Sequence, residues 1–435
     1  MNTATGNSLA DRWSDSVGRL QHEAAPPWLS ALRQAAAAQF LSGGMPHRKV
    51  EAWKYTPLNL LDGLELEPDG GVAGSAGDLS PALQQRAPVV DIIDGQPLTD
   101  LAAAPVGVEL LPLAQGIVRF EGRLRTLFES VELGGATRAF AALNTACAEH
   151  GLVVHVAEGV DAGALALRWA FSAKGKPTMH QSRLVLLLER GAKLELVEQF
   201  QSAAETANGL NLLSQVELGE GARLSHTRVQ AESEQAVVLT ATGVQQASDS
   251  AYRYCGFDLG AGLARHEITV QLSGSGANAE LSGAFVLDGR QHADNHISVE
   301  HKAPGCRSEQ FFRGVLGGRS RGVFNGRALI QPGADGSSVR QSNANLLLSP
   351  LAEIDTKPEL EIYADEVEAS HGATVGQLDE TAVFYLRSRG LDETEARLLL
   401  TAAFCHAVTD RLDDREVAEQ VAAMLDAAMP GGALK

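Results

Sequence analysis

From Gly151 to Gly376 the chain is a succession of short β-prone segments separated by glycine or aspartate turns, with no helical stretch between them. LVVHVAEGV, SRLVLLLERGAKLELVEQF, LLSQVELGEGARLSHTRVQ and AELSGAFVLDG are typical. Strands without intervening helices exclude a βαβ fold and leave a sandwich, a barrel or a solenoid. The turn Gly-Ala-Lys-Leu at Gly191 returns as Gly-Ala-Arg-Leu at Gly221, 30 residues on, and a related Gly-Ala-Asn-Ala-Glu-Leu begins at Gly276. A strand–turn–strand unit recurring over this length favours a solenoid, whose rungs bury one continuous core. Glycine supports this reading: 44 of 435 residues, above the usual ~7%.

The flanks read differently. Trp28, Leu32, Ala36 and Phe40 share one helix face, with Pro26 and Pro27 at its start and Gly43, Gly44 and Pro46 at its end. HRKVEAWKYTPL follows, a strand or loop expected to pack Trp53 and Tyr55 onto the domain. Residues 62–79, rich in Gly, Asp and Glu, read as a flexible linker. Val89 to Ile93 reads as a strand, and FAALNTACAEHG as a helix stopped by Gly151. Past Gly376, Asp379 is an expected N-cap with Gly390 at the helix end. Asp392 with Glu395 forms a capping box for a second helix lined by Leu400, Phe404, Ala407 and Val408. A third carries Val417, Val421, Met424, Leu425 and Ala428. The expected division is a mostly helical 1–150, a β-solenoid core over 151–376 and a helical 377–435. The last helices are placed to cap the solenoid's open end or to offer a docking surface.

A formal charge of −18 repels phosphate backbones, so nucleic acid is not an expected partner. No apolar run approaches the ~18 residues of a membrane span. MNTATGNSLADRWSDS does not read as a signal peptide, so a cytoplasmic protein is expected. Cys147, Cys255, Cys306 and Cys405 are far apart, with no CxxC pair, and are expected to be free thiols. For Cys147 and Cys405 the expectation is a small buried side chain; the roles of Cys255 and Cys306 stay open. The phosphate-cradling G-x-x-x-x-G-K-[ST] loop is absent, as is the dinucleotide strand–G-x-G-x-x-G–helix arrangement.

The densest set of metal-capable residues is His292, His296, His301 and Cys306. On a strand, His296 and His301 point to opposite faces, so a shared metal is disfavoured. Asn295 and His296 are expected to stabilise a rung by hydrogen bonds instead. Arg313, Arg319, Arg321, Arg327 and Arg340 read as a solvated β face, with an anion site as the sharper alternative. Between Ser342 and Gly376 the strands turn half-polar, as edges do where one β protein adds to another.

The run SNANLLLSPLAEIDTKPELEIYADEVEASHGATVGQLDETAVFYLRSRGLDETEAR resembles the SufD branch of the SufB/SufD family, subunits of the SufBCD iron–sulfur cluster assembly complex. HRKVEAWKYTPL and DNHISVEHKAPGCRS support it. The resemblance implies a right-handed parallel β-helix between helical N- and C-terminal domains, which decides solenoid over sandwich. It implies a non-catalytic scaffold that pairs with a SufB-like paralogue through the final β-helix strands. A SufC-like ATPase would dock on the C-terminal helices, where Tyr385, Arg387, Arg389 and Phe404 are the candidate contacts. Sulfur would arrive indirectly from a cysteine desulfurase system. The nascent cluster would form at the SufB interface, with His371 of the S-H-G-A-T-V-G run as the scaffold's contribution and a transient iron ligand. Many relatives have a cysteine two residues before that histidine; Ala369 stands there in this chain. No cofactor is expected in the isolated chain, and a flavin in the complex is left open.

Two other readings compete. A SufB-type subunit would carry the cluster cysteine itself, but no cysteine falls between Cys306 and Cys405. A β-helix enzyme acting on polysaccharide or acyl substrates would show hexapeptide repeats or a carboxylate row, and neither is found. An exposed final rung also invites self-pairing, so the isolated chain is expected to homodimerise through the strands between Asn343 and Thr374, in competition with SufB.

Overall fold

The computed structural model describes the chain apart from residues 1–7, 21–24, 67–81, 84–86, 99–100, 102–103, 131–137, 172–175, 203–206 and 431–435. It opens with α1 (Leu9–Gly18), capped by a Ser8–Asp11 capping box, and α2 (Pro27–Gly43). Two single-turn helices follow, Glu51–Trp53 and Asn59–Gly63. Next come β1 (Val89–Ile93), β2 (Gln96–Pro97), β3 (Val108–Pro112), α3 (Leu113–Arg119), α4 (Glu121–Ser130) and α5 (Arg138–Cys147).

The glycine-punctuated region is a parallel β-solenoid. Its strands are β4 (His150–Val156), β5 (Asp161–Phe171), β6 (Met179–Leu188), β7 (Lys193–Ser202), β8 (Gly209–Leu218) and β9 (Arg223–Ala231). There follow β10 (Val237–Gln246), β11 (Ala251–Asp258), β12 (Leu263–Leu272), β13 (Asn278–Leu287) and β14 (His292–His301). The last are β15 (Arg307–Leu316), β16 (Arg321–Ile330), β17 (Ser338–Leu347), β18 (Glu353–Ile362) and β19 (Glu368–Gly376). Even-numbered strands from β4 to β18 form one sheet and odd-numbered strands from β5 to β19 the other, so each rung gives one strand to each sheet. Lys193 pairs with Arg223, so the turn that recurs in the sequence marks adjacent rungs. The repeat is imperfect because rung length varies, from 26 residues between Val237 and Leu263 to 32 between Arg321 and Glu353.

One corner explains the glycines. Gly191, Gly221, Gly276, Gly305 and Gly336 all have positive φ and stack from rung to rung. The N–H of Gly191 donates to Glu220 O, and that of Gly221 to Ser248 O. Asp249 fills the same place at φ 58, a position Asp tolerates better than most side chains. The turn therefore continues where the glycine pattern lapses.

Alternation sends Leu152, Leu167, Leu186, Leu196, Leu212 and Val216 inward, into one core shared by both sheets. Each such side chain contributes about 1.5–3 kcal/mol on burial. The outward faces are apolar too and need cover. Phe40, Trp53, Phe140 and Leu143 cover Met179, Val237, Leu239 and Leu263 on the even sheet. At the other end of the chain, Asp379 caps α6 (Glu380–Ser388), and the Asp392–Glu395 box caps α7 (Glu393–Thr409). From α7 and α8 (Arg415–Ala428), Cys405, Val408, Val421 and Leu425 cover Val229, Cys255, Phe257, Val286 and Val315 on the odd sheet. The C-terminal helices thus lie along a flank and do not cap the open end, because the apolar surface that demands them is on β9 to β15.

Other expectations shift in detail. The buried face of α2 is Leu29, Arg33, Ala36 and Phe40, with Trp28 and Leu32 only half-buried. Trp53 is buried, but Tyr55 is 43% exposed. The beginning of the expected linker is held in place: Leu64 and Leu66 are buried and Glu65 bridges to Thr178; the rest of 62–79 lies outside the described residues. Gly151 lies inside β4, where a Cβ would stand 2.0 Å from Arg183 O. Among the described residues no helix is long and apolar enough to cross a membrane.

Candidate functional site at the open end of the solenoid

The two ends of the solenoid are built differently. At the first rung, β1 lies on β5, the short β2 turns antiparallel on β1, and β3 runs antiparallel on β4. At the last, β18 and β19 end their sheets, and among the described residues no strand lies beyond either. Their outer backbone N–H and C=O groups are free to pair with another chain. All nine residues of β19 are exposed.

His371 sits on β19 opposite Gln341 of β17. Gln341 pairs with Gln310, and Gln310 with Leu281. Leu281, Gln310 and Gln341 are buried, so His371 heads the inward column of that sheet. The column changes from aliphatic to amide to imidazole as it reaches the open end. The amides tie the last rungs together: Gln310 Nε2 donates to Arg327 O (3.0 Å) and Gln341 Nε2 to Gly326 O (3.1 Å). Thr356 Oγ1 donates to Asn343 Oδ1 (2.8 Å), and Asn345 Nδ2 to Thr374 O (3.2 Å). The final rung is therefore held by directional bonds as well as by Leu360 and Val367 packed on Ala328, Ile330 and Val339.

The C-terminal docking candidates divide. Tyr385 is 56% exposed on α6, beside Phe384 at 72%. Arg389 stacks on the Tyr385 ring at 5.2 Å and donates to its hydroxyl at 3.1 Å. Arg387 pairs with Glu393 at 3.4 Å. Phe404 is half-buried among the side chains under α7, 5.7 Å from Arg313. Phe384, which sequence reasoning passed over, completes an exposed aromatic pair that a helix with an N-cap and a single buried Val383 makes legible in retrospect.

The histidine cluster does not converge. His292 Nε2 lies 3.1 Å from Thr56 Oγ1. Asp294 takes bonds from Thr56 and Arg265 and lies 2.8 Å from His296 Nε2. His301 points inward to Ser308 Oγ (2.8 Å), and Cys306 donates to Gly274 O (3.3 Å). Burial pushes His292 and His301 down to about 4, so both are neutral at pH 7. Among the described residues no three His, Cys, Asp or Glu could hold a metal ion. As expected, Asn295 braces a rung, donating to Asp258 Oδ2 at 3.1 Å.

Three of the five arginines are already engaged: Arg321 and Arg327 pair with Glu353 and Glu361 of β18, and Arg313 lies 3.7 Å over the Phe311 ring. All four cysteines are buried. Burial pushes the Cys147 and Cys405 thiols up to about 12, and those of Cys255 and Cys306 upward as well, so none is a ready nucleophile.

Sequence reasoning missed a charged network inside the solenoid. Trp169 Nε1 donates to Glu198 (2.7 Å), which also meets His226 Nε2 (2.7 Å). Arg228 Nη2 donates to Asp258 (2.9 Å), and His266 Nε2 lies 2.9 Å from the same oxygen. Burial opposes ionisation of Asp258, but His266 and Arg228 outweigh it and hold the carboxyl well below the usual range. In RLSHTRVQ the alternation alone would assign His226 and Arg228 to a wet face.

Comparison with known proteins points to one family. Residues 171–404 match the family described as SUF system FeS cluster assembly, SufBD core domain. The chain is 30% identical over 410 residues to the iron–sulfur cluster assembly protein SufD of Escherichia coli, covering 91% of this chain and 92% of that protein. It is 29% identical over 394 residues to an iron–sulfur cluster assembly SufBD family protein of Synechocystis sp., covering 87% and 86%. A chloroplastic protein of Arabidopsis thaliana, ABCI7, is 26% identical over 427 residues, covering 95% and 88%.

Proposed function

The chain belongs to the SufBD family of iron–sulfur cluster assembly proteins, and from that premise we propose that it is the SufD-type scaffold of a SufBCD complex. Its paralogous SufB-like partner adds to β18 and β19, where backbone groups are free and side chains are half-polar. The observation that carries this reading is the unpaired terminal rung with an exposed imidazole at the head of its inward column. Once a partner strand covers β19, His371 is enclosed at the junction and offers a ring nitrogen to iron brought there as substrate. The SufC-like ATPase docks on the exposed α6 surface around Phe384, Tyr385 and Arg389. The scaffold hydrolyses no ATP and works in the cytoplasm; sulfur reaches the junction from a cysteine desulfurase system. Without its partner, the same edge closes on a second copy of this chain. The experiment is co-expression with a SufB-like paralogue and a SufC-like ATPase. A complex containing all three supports the reading, and a chain that purifies alone in their presence overturns it.

A further inference from the structure

A groove of about 690 Å³ runs along the outer face of the even-numbered sheet, under helices α2 and α5. Arg183 of β6 lines one end and is 4% exposed. Its Nε donates to Asn144 Oδ1 (3.0 Å), Nη1 to Gln215 Oε1 (3.2 Å) and Nη2 to Thr145 Oγ1 (2.5 Å). Phe128 stacks on the guanidinium at 4.3 Å and fixes its plane. Every one of these partners is neutral. Among the described residues no carboxylate pairs with Arg183, and the charge acting on it is that of Arg33, of like sign. Burial and Arg33 push its pKa down to about 9, which leaves it cationic at pH 7.

The protein's other buried arginines each face a carboxylate. Arg228 lies on Asp258, Arg265 on Glu267 and Asp294, and Arg33 stands 4.0 Å from Glu149. An uncompensated buried charge costs several kcal/mol, so Arg183 is the exception that needs a reason. A guanidinium has five N–H donors, and three are used here. One N–H remains on each Nη, the arrangement with which arginine grips a planar or tetrahedral oxyanion. Arg138 adds a second positive charge to the groove lining. The acidic side chain in that lining, Glu300, stands on β14, four strand spacings or roughly 19 Å away, and pairs with Lys302 at 3.3 Å. Leu32, Ala36 and Leu213 give the groove an apolar wall between these ends.

We propose that this groove binds a small anionic ligand, whose carboxylate or phosphate group sits on Arg183 and whose remainder lies along the α2 wall. The site is distinct from the open edge and independent of the function proposed above. The two sources of the anion are separated by titrating the full-length chain with inorganic phosphate and, separately, with succinate, by calorimetry and thermal shift. Saturable one-to-one binding of either probe is expected, with a matching rise in melting temperature. Arg183→Gln should weaken it by about tenfold or more. Because Arg183 also braces α5, that variant alone could fail by misfolding. Ala35→Trp fills the exposed groove wall, leaves the Arg183 bonds intact and should abolish binding of phosphate and of succinate with an unchanged far-ultraviolet spectrum. No saturable binding of either anion at millimolar concentration overturns the proposal, as does binding that survives both substitutions.

Discussion

Gln341 and His371 stand opposite each other on β17 and β19, on the face that turns into the core in every earlier rung. The first is buried and the second exposed, so the inward column passes from interior to surface in a single strand spacing. His371→Ala should leave folding within about 0.5 kcal/mol of wild type, as for an exposed residue without structural bonds. Assembly with the SufB-like partner should persist, while reconstituted cluster yield falls about tenfold or more, the scale on which metal sites respond to lost support. Cluster absorbance of the purified complex reads this out, and a normal yield removes His371 from the chemistry.

The α6 surface makes a separable prediction. Deleting residues 377–435 is a poor test, because it would strip α7 and α8 from Cys255, Phe257 and Val286 and expose that apolar sheet to aggregation. Phe384→Ala with Tyr385→Ala changes only exposed side chains. The double variant should melt with wild type and lose about tenfold or more in affinity for the SufC-like ATPase, measured by calorimetry. Unchanged affinity would move the docking site off α6.

Much of this was legible in the sequence, for identifiable reasons. Gly191 and Gly221 exposed the rung because the corner needs positive φ at each turn, and Asp379, Asp392 and Glu395 announced their helices because caps are local chemistry. His371 followed from its resemblance to a family run. What was not legible depends on contacts remote in sequence. Tyr55 and Trp53 are two residues apart, yet only Trp53 finds Phe140 and Leu143 to bury against. The flank position of α7 follows from Phe257 and Val286 pointing outward, a fact that requires knowing which face each strand shows. His226 and Arg228 look like wet-face residues until Glu198 and Asp258 arrive from neighbouring rungs.

Glu232 carries a pH dependence. It is buried, accepts a bond from Ser202, and desolvation raises its pKa from 4.5 to about 8. The folded state therefore holds a proton that the unfolded chain releases near pH 4.5. The stability this gives is full below about pH 4.5 and is lost as pH rises through about 8. Glu232→Gln should abolish that slope and be ~2–4 kcal/mol more stable than wild type at pH 8.5. Urea denaturation at pH 5 and pH 8.5 checks it: parallel losses in both proteins would mean Glu232 is not the source.

The open edge also predicts self-association. Light scattering of the isolated chain should give a dimer at micromolar concentration that converts to a one-to-one species when the SufB-like partner is added. A dimer of this chain that persists inside the complex would place self-association elsewhere.

Hydrogen–deuterium exchange tests the scaffold account most directly, because it reads the backbone groups on which the pairing depends. With the SufB-like partner bound, amides of β18 and β19 should gain strong protection, while those of β1 to β3 at the opposite end exchange as in the free chain. Protection confined to the flanks or to the first rung, with β18 and β19 unchanged, would contradict it.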